Sequence, residues 1–172
     1  MQILNSTLDD METIFGLYGD AVAYQKLKFN KHWQGFDHAL VQKEIEEQRQ
    51  FKIVLDNVVV CIFAITFNDA GIWKELDKSP SLYIHRIVTR PGFRSNGYVK
   101  NIITWALDYC RNNAKQFVRM DTWGDNEKLI TYYQNCGFIF LGLTDEIRDE
   151  TLPKHYQGIR LSLFQIAVNE TE

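Results

Sequence analysis

Between Arg90 and Val99 the chain reads RPGFRSNGYV, and its residue types suit the holding of an anion. Gly92 and Gly97 stand five positions apart, with Arg94 between them. Glycine reaches left-handed backbone conformations and lets a ligand approach the main chain closely, because no Cβ stands in the way. Asn96 also tolerates the left-handed region. Arg94 adds a charged, forked donor for a phosphate oxygen. An apolar strand, LYIHRIVT, precedes the loop and an amphipathic helix follows it. That order aims several backbone N–H groups and a helix N-terminus at one anion.

Three phosphate loops compete for this pattern. The nucleotide-hydrolysing loop GxxxxGK[ST] needs a Lys for the β/γ-phosphates and a hydroxyl for Mg²⁺. Gly92 and Gly97 have its separation, but Tyr98 and Val99 stand where the Lys and the hydroxyl belong, so that reading fails. The dinucleotide fingerprint GxGxxG is absent, and so is an opening βαβ unit to carry it. The third pattern, R-x-x-G-x-G/A between strand and helix, fits Arg94-Ser95-Asn96-Gly97-Tyr98-Val99 except at its last position.

The elements that would position this loop follow from periodicity. QIL opens as a strand, and Ser6 or Thr7 caps a helix with Asp9 and Asp10 in its first turn. Met11, Ile14, Phe15, Tyr18, Ala21 and Val22 recur at helical spacing until KFNKHWQGF breaks it. A second helix runs from about Asp37 to Arg49. FKIVLDNVVVCIFAITFND reads as two strands around a turn at Asp56-Asn57, the latter strand almost wholly apolar. AGIWKELDKSPS reads as a loop. Beyond Gly97, Val99, Ile102, Ile103, Ala106 and Cys110 mark a helix to about Asn112. QFVRMDTW is a strand, and GDNEKLITYYQNCGF is a helix capped by Asp125 or Asn126 and closed by Gly137. IFLGLTDE and IRLSLFQIAV are the last strands, and the terminal NETE frays.

Composition bounds the function. The 172 residues suffice for one mixed α/β domain with a real core, with 45% hydrophobic and 13% aromatic residues arguing against disorder. A formal charge of −3 gives no support to a nucleic-acid partner. No apolar run approaches a membrane span. Cys61, Cys110 and Cys136 lie far apart in apolar runs, as buried thiols of a reducing compartment do, and MQILNSTLDD lacks the basic and apolar regions of a signal peptide. A cytoplasmic protein is the expectation. With no CxxC, and no metal-like spacing among His32, His38, His85 and His155, no metal site is expected.

HRIVTRPGFRSNGYV and, one helix and one strand later, DNEKLITYYQNCGF together resemble the GNAT superfamily of N-acetyltransferases over nearly the whole chain. The former stretch resembles the family's strand 4 and pyrophosphate loop. The latter is similar to its helix that begins with Asn and ends Tyr-x-x-x-Gly-Phe. The resemblance implies one domain over 1–172 with a GNAT-like fold. Its mostly antiparallel, twisted sheet of six to seven strands would be splayed at strands 4/5 and flanked by about four helices. It implies acetyl-CoA as cosubstrate and a primary amine of a small molecule or peptide as acceptor, attacked directly in a ternary complex. A non-catalytic acyl-CoA sensor with the same fold is the alternative. Paired GNAT domains are common, which leaves a homodimer open.

Residue by residue, the resemblance implies that backbone groups of Ile87, Val88 and Thr89 pair with the pantetheine arm. The amides of Arg94, Ser95, Asn96, Gly97, Tyr98 and Val99 would hold the pyrophosphate. Asn126 matches an Asn near the pantetheine, and Tyr133 matches a Tyr near the sulfur, which makes it the candidate general acid; a core aromatic on the helix's apolar face, four residues after Leu129, would look the same. Val99 departs from the family's small residue, and Ser95 from its common Gly. His85, whose ring titrates near neutrality, is the candidate base, with Asp121 and Asp125 as alternatives. A structural histidine in its own hydrogen bonds would have the same sequence signature. A backbone N–H near Val88 or Thr89 would stabilise the oxyanion, where the family carries a strand bulge. Phe29, Trp33 and Trp123 are candidates for the acceptor pocket.

Overall fold

The computed structural model describes residues 1–29, 32–124, 126–152 and 154–168. The chain folds as two compact units. One takes Met1–Ile65 with Arg86–Tyr98; the other takes Thr66–His85 with the chain from Val99 onward. Strand β4 (Ser81–Thr89) contributes its first half to the second unit and its second half to the first.

In the first unit, β1 (Gln2–Asn5) pairs antiparallel with β2 (Gln50–Leu55), which pairs antiparallel with β3 (Val58–Thr66). Asp56 and Asn57 both take positive φ, 49° and 63°, as a type I′ hairpin turn demands. Helix α1 (Met11–Lys28) is entered through a short 3₁₀ turn, where the Asp10 carboxylate accepts from the Thr7 backbone N–H at 2.7 Å. Its Ile14, Leu17 and Tyr18 are buried with Val41 and Ile45 of α2 (His38–Glu46), Ile62 of β3 and Val88 of β4. Each such side chain contributes about 1.5–3 kcal/mol relative to exposure.

Helix α2 begins where Asp37 accepts from the Ala39 N–H, and it stops three residues short of the expected Arg49. Gln48 takes φ 57° there, and the Arg49 N–H returns to the Glu44 carbonyl at 2.7 Å while Gln48 N–H reaches Ile45. This is a Schellman turn with Gln in the position glycine usually holds.

In the second unit, β5 (Phe117–Trp123) runs parallel to β4, but only Ser81↔Phe117, Leu82↔Val118 and Tyr83↔Arg119 pair. On its other side β5 pairs antiparallel with β7 (Leu161–Ala167) along its full length, and β7 pairs antiparallel with β6 (Ile139–Leu143). The strand order is β1-β2-β3-β4-β5-β7-β6, a mostly antiparallel seven-stranded sheet with one parallel junction that opens after three pairs.

The segment expected to be a loop after β3 instead forms α3 (Ala70–Trp73) and a 3₁₀ turn over Lys74–Lys78. Two anchors explain the difference. Ile72 and Trp73 are buried against Tyr83, Ile147, Ile159 and Leu161, and their N–H groups donate to the Asp69 carbonyl. The charges of KELDK hide those anchors in the sequence.

Helix α4 (Tyr98–Asn112) follows the glycine loop, and α5 (Glu127–Asn135) is capped by Asn126, whose side chain accepts from the Leu129 N–H at 3.2 Å. Gly137, at φ 108°, closes α5: Phe138 N–H donates to the Tyr133 carbonyl and Gly137 N–H to that of Gln134. The Tyr133 and Phe138 rings meet edge to face at 6.2 Å, the apolar contact that accompanies this turn. The expected fraying of NETE, and Asp125 as a cap or base, lie outside the described residues. Among those described, no helix is long and apolar enough to cross a membrane.

Candidate functional site

The loop in the first unit is pinned at its entrance. Arg90 donates from its backbone to the Val60 carbonyl at 2.8 Å and from Nε to that of Val59 at 2.6 Å. Beyond it, Gly92 (86°), Ser95 (68°) and Gly97 (74°) take positive φ. The left-handed residues are therefore Ser95 and Gly97, flanking Asn96 rather than including it. Asn96 instead uses its side chain to donate to the Phe93 carbonyl at 2.7 Å, which a turn residue of its type does readily. Left-handed residues alternating with others turn successive N–H groups to one side, as anion-binding nests do. A Cβ on Gly97 would meet no protein atom within 4 Å, so φ, not internal crowding, calls for glycine there. Arg94 is exposed and lies over the Tyr24 ring at 4.0 Å. Tyr98 and Val99 are buried, so what they offer an anion is backbone.

The half of β4 leading into the loop begins with a break. Arg86 takes φ 51° in mid-strand, a conformation that costs a non-glycine residue about 1–2 kcal/mol. Its guanidinium is held by the buried Glu44 carboxylate and lies 5.0 Å from the Phe36 ring centre and 5.8 Å from that of Tyr18. The kink thus stands on a buried ion pair that motif reading did not single out. Val88 points into the core, while Ile87 and Thr89 are partly exposed. The Thr89 hydroxyl contacts Cys61 Sγ at 3.6 Å. Burial pushes the Cys61 thiol up to about 11, and that of Cys110 likewise, so both are protonated at neutral pH and poor nucleophiles.

Trp33 is packed against Tyr18 and Phe36 and donates its backbone N–H to Gln25, whereas Phe29, at the end of α1, is exposed.

The second unit gathers its chemistry where the β4–β5 ladder opens. Tyr83↔Arg119 is the last pair, and two residues further along each strand, on the same face, stand His85 and Asp121. Asp69, just ahead of α3, joins them: its Oδ2 lies 3.3 Å from His85 Nε2. The imidazole nitrogen and the two carboxylate oxygens fall within 4.8 Å of one another, and the set would also suit a divalent cation. Burial raises Asp121 from 3.8 to about 6, the nearby His85 pulling it down and Asp69 pushing it up. The sequence named His85 and Asp121 separately. It missed Asp69, which carries no motif and reaches the cluster only because the supposed loop folds.

Tyr133 is partly buried and packs on Phe164 at 5.3 Å as well as Phe138. Asn126 serves as the α5 cap, and Trp123 lies near His155, ring centres 5.9 Å apart.

The family model described as the acetyltransferase (GNAT) family matches residues 19–138. The chain belongs to the GNAT family of acetyltransferases. This GNAT chain is 24% identical over 142 residues to an uncharacterized N-acetyltransferase, YesJ, of Bacillus subtilis, spanning 78% of the chain and 79% of the relative. A GNAT-family acetyltransferase structure from Listeria monocytogenes superposes with a TM-score of 0.78 at 20% identity, covering 96% of this chain and 94% of the other. YncA, a putative acetyltransferase of Salmonella typhimurium solved with acetyl-CoA, gives 0.70 at 14% identity over 100% and 96%. At such identities these structures speak for the GNAT fold alone. The open β4–β5 junction is the splay expected at strands 4/5.

Proposed function

We propose that the chain transfers an acetyl group from acetyl-CoA to a primary amine of a small molecule or peptide, by direct attack in a ternary complex. The observation that carries this reading is the loop after β4, with left-handed backbone at Gly92, Ser95 and Gly97, in a chain of the GNAT family. In this reading the amides of Arg94–Val99 hold the pyrophosphate of coenzyme A. The backbone of Ile87, Val88 and Thr89 receives the pantetheine arm, and Asn126 lies near it. His85 takes the proton of the incoming ammonium, Tyr133 donates one to the departing thiolate, and a β4 amide near Val88 or Thr89 steadies the oxyanion. Phe29, Trp33 and Trp123 contact the acceptor. The protonated state of Cys61 and Cys110 supports direct attack over an acyl-enzyme.

The test is thiol release from acetyl-CoA with a panel of an alkylamine, a polyamine and a peptide with a free N-terminus. Steady release that needs an amine supports transfer. Thermal protection by coenzyme A with no release from any amine would make the chain a non-catalytic acyl-CoA binder instead. Arg94→Glu should abolish most of that protection. Tyr133→Phe should keep it and lower kcat about 100-fold; an unchanged kcat would remove Tyr133 from the chemistry.

A further inference from the structure

We propose that Asp69 is a positioning residue for His85, and that a buried chain from Arg119 through Tyr83 and Asp77 holds Asp69 in place. The inference rests on the reading of His85 as the base.

The chain is continuous. Arg119, 1% exposed, donates from Nε to Gln165 Oε1 at 2.8 Å and from a terminal nitrogen to the Leu76 carbonyl at 2.6 Å and the Tyr83 hydroxyl at 3.1 Å. The Trp73 and Phe117 rings flank its guanidinium at 5.0 and 4.7 Å. The Tyr83 hydroxyl donates onward to Asp77 Oδ1 at 2.6 Å, and the same oxygen accepts the Asp69 backbone N–H at 2.8 Å. Burial, with Asp77 beside it, pushes the Tyr83 phenol up to about 12, so it stays a donor across the working range. Asp69 is therefore fixed at its N–H by Asp77, and at its carbonyl by Ile72 and Trp73.

On that backbone, Asp69 Oδ2 is buried and meets no hydrogen bond of regular geometry, the approach of His85 Nε2 at 3.3 Å included. The His85 ring, 3.3 Å away at Nε2, is the group that faces it. In this proposal the neutral ring carries its proton on Nε2, toward that carboxylate, and its basic lone pair on Nδ1. At His85 the step then moves one proton. An N–H bond of the acceptor ammonium breaks, Nδ1–H forms, and the freed lone pair attacks the thioester carbon. The C–S bond then breaks, Tyr133 protonates the thiolate, and the second proton of the amine nitrogen restores the phenol. The imidazolium left behind faces two carboxylates, Asp69 and Asp121. The proton passes to solvent before the next turnover.

Long-range ¹H–¹⁵N spectra of the 172-residue chain resolve its four histidines, with His85→Gln assigning the one that matters. The expected wild-type signature is the Nε2–H tautomer. Losing an opposite charge lowers a histidine's midpoint, so that of His85 should fall in Asp69→Asn. Tyr83→Phe should leave a mixture of tautomers. An Nδ1–H ring in the wild type overturns the inference with no variant needed, as does an unchanged midpoint in Asp69→Asn. With an acceptor from the amine panel, Asp69→Asn should lower kcat at least about 10-fold and leave KM for acetyl-CoA within about 2-fold. If His85→Gln loses turnover while Asp69→Asn keeps it, the positioning inference alone fails. If His85→Gln keeps full turnover, the base reading fails first.

Discussion

Replacing Asp121 by Asn removes a buried charge while nearly preserving the shape of the side chain. Burial lifts Asp121 from 3.8 to about 6 against the pull of His85. The fold therefore favours the neutral acid. Its contribution is present in full below pH 3.8 and is lost as pH rises through about 6. A difference of about 2 units, at about 1.4 kcal/mol each, makes this loss about 3 kcal/mol. Asn never ionises, so the variant escapes the loss. Urea unfolding of both proteins at pH 4, 5, 6 and 7.5 reads the effect on the cluster, because titrating groups outside it are shared. The stability of Asp121→Asn minus that of the wild type should grow by up to about 3 kcal/mol between pH 4 and 7.5. A difference that stays flat would mean that Asp121 ionises as it does in water. A difference that shrinks would mean that the ionised carboxylate is stabilised by His85 more than burial costs it, reversing the account of the cluster.

Three further perturbations probe the supports of the site. Glu44→Ala removes the carboxylate that faces the Arg86 guanidinium and should cost about 3 kcal/mol in urea unfolding at pH 7. A cost under about 1 kcal/mol would show that the kink in β4 does not depend on that pair. Gly137→Ala forces φ 108° on a residue with a Cβ, which would meet only the tip of Ile166 at 4.0 Å. The expected loss is backbone strain of about 1–2 kcal/mol, read from the unfolding midpoint. Chelation by EDTA should leave thiol release unchanged; a loss restored by a divalent ion would recast Asp69, His85 and Asp121 as ligands.

What was legible in the sequence was local. The Asp56-Asn57 hairpin and the Gly137 helix end are decided within four or five residues, by turn types that few residues accept. The glycine loop was legible for the same reason, although the left-handed position fell on Ser95 instead of Asn96. The cluster of Asp69, His85 and Asp121 was not legible. It depends on Ser81 standing beside Phe117 in a parallel pair, a register that no local pattern encodes and that places His85 level with Asp121. Asp69 was further out of reach, because Ile72 and Trp73 fold a charged stretch only once Tyr83 and Leu161 supply a surface to bury them.

The turn that ends α5 superimposes three duties on one residue. The Tyr133 carbonyl accepts the closing hydrogen bond, its ring packs on Phe138 and Phe164, and its hydroxyl is the proposed proton donor. Only the last of these belongs to an atom that can be deleted alone. A large truncation at this position would fray the helix end and open the aromatic stack, so its loss of activity would carry no mechanistic information. The phenolic oxygen is the one separable element, and by the same logic substitutions sampled there would be filtered for an aromatic ring before they were filtered for a hydroxyl.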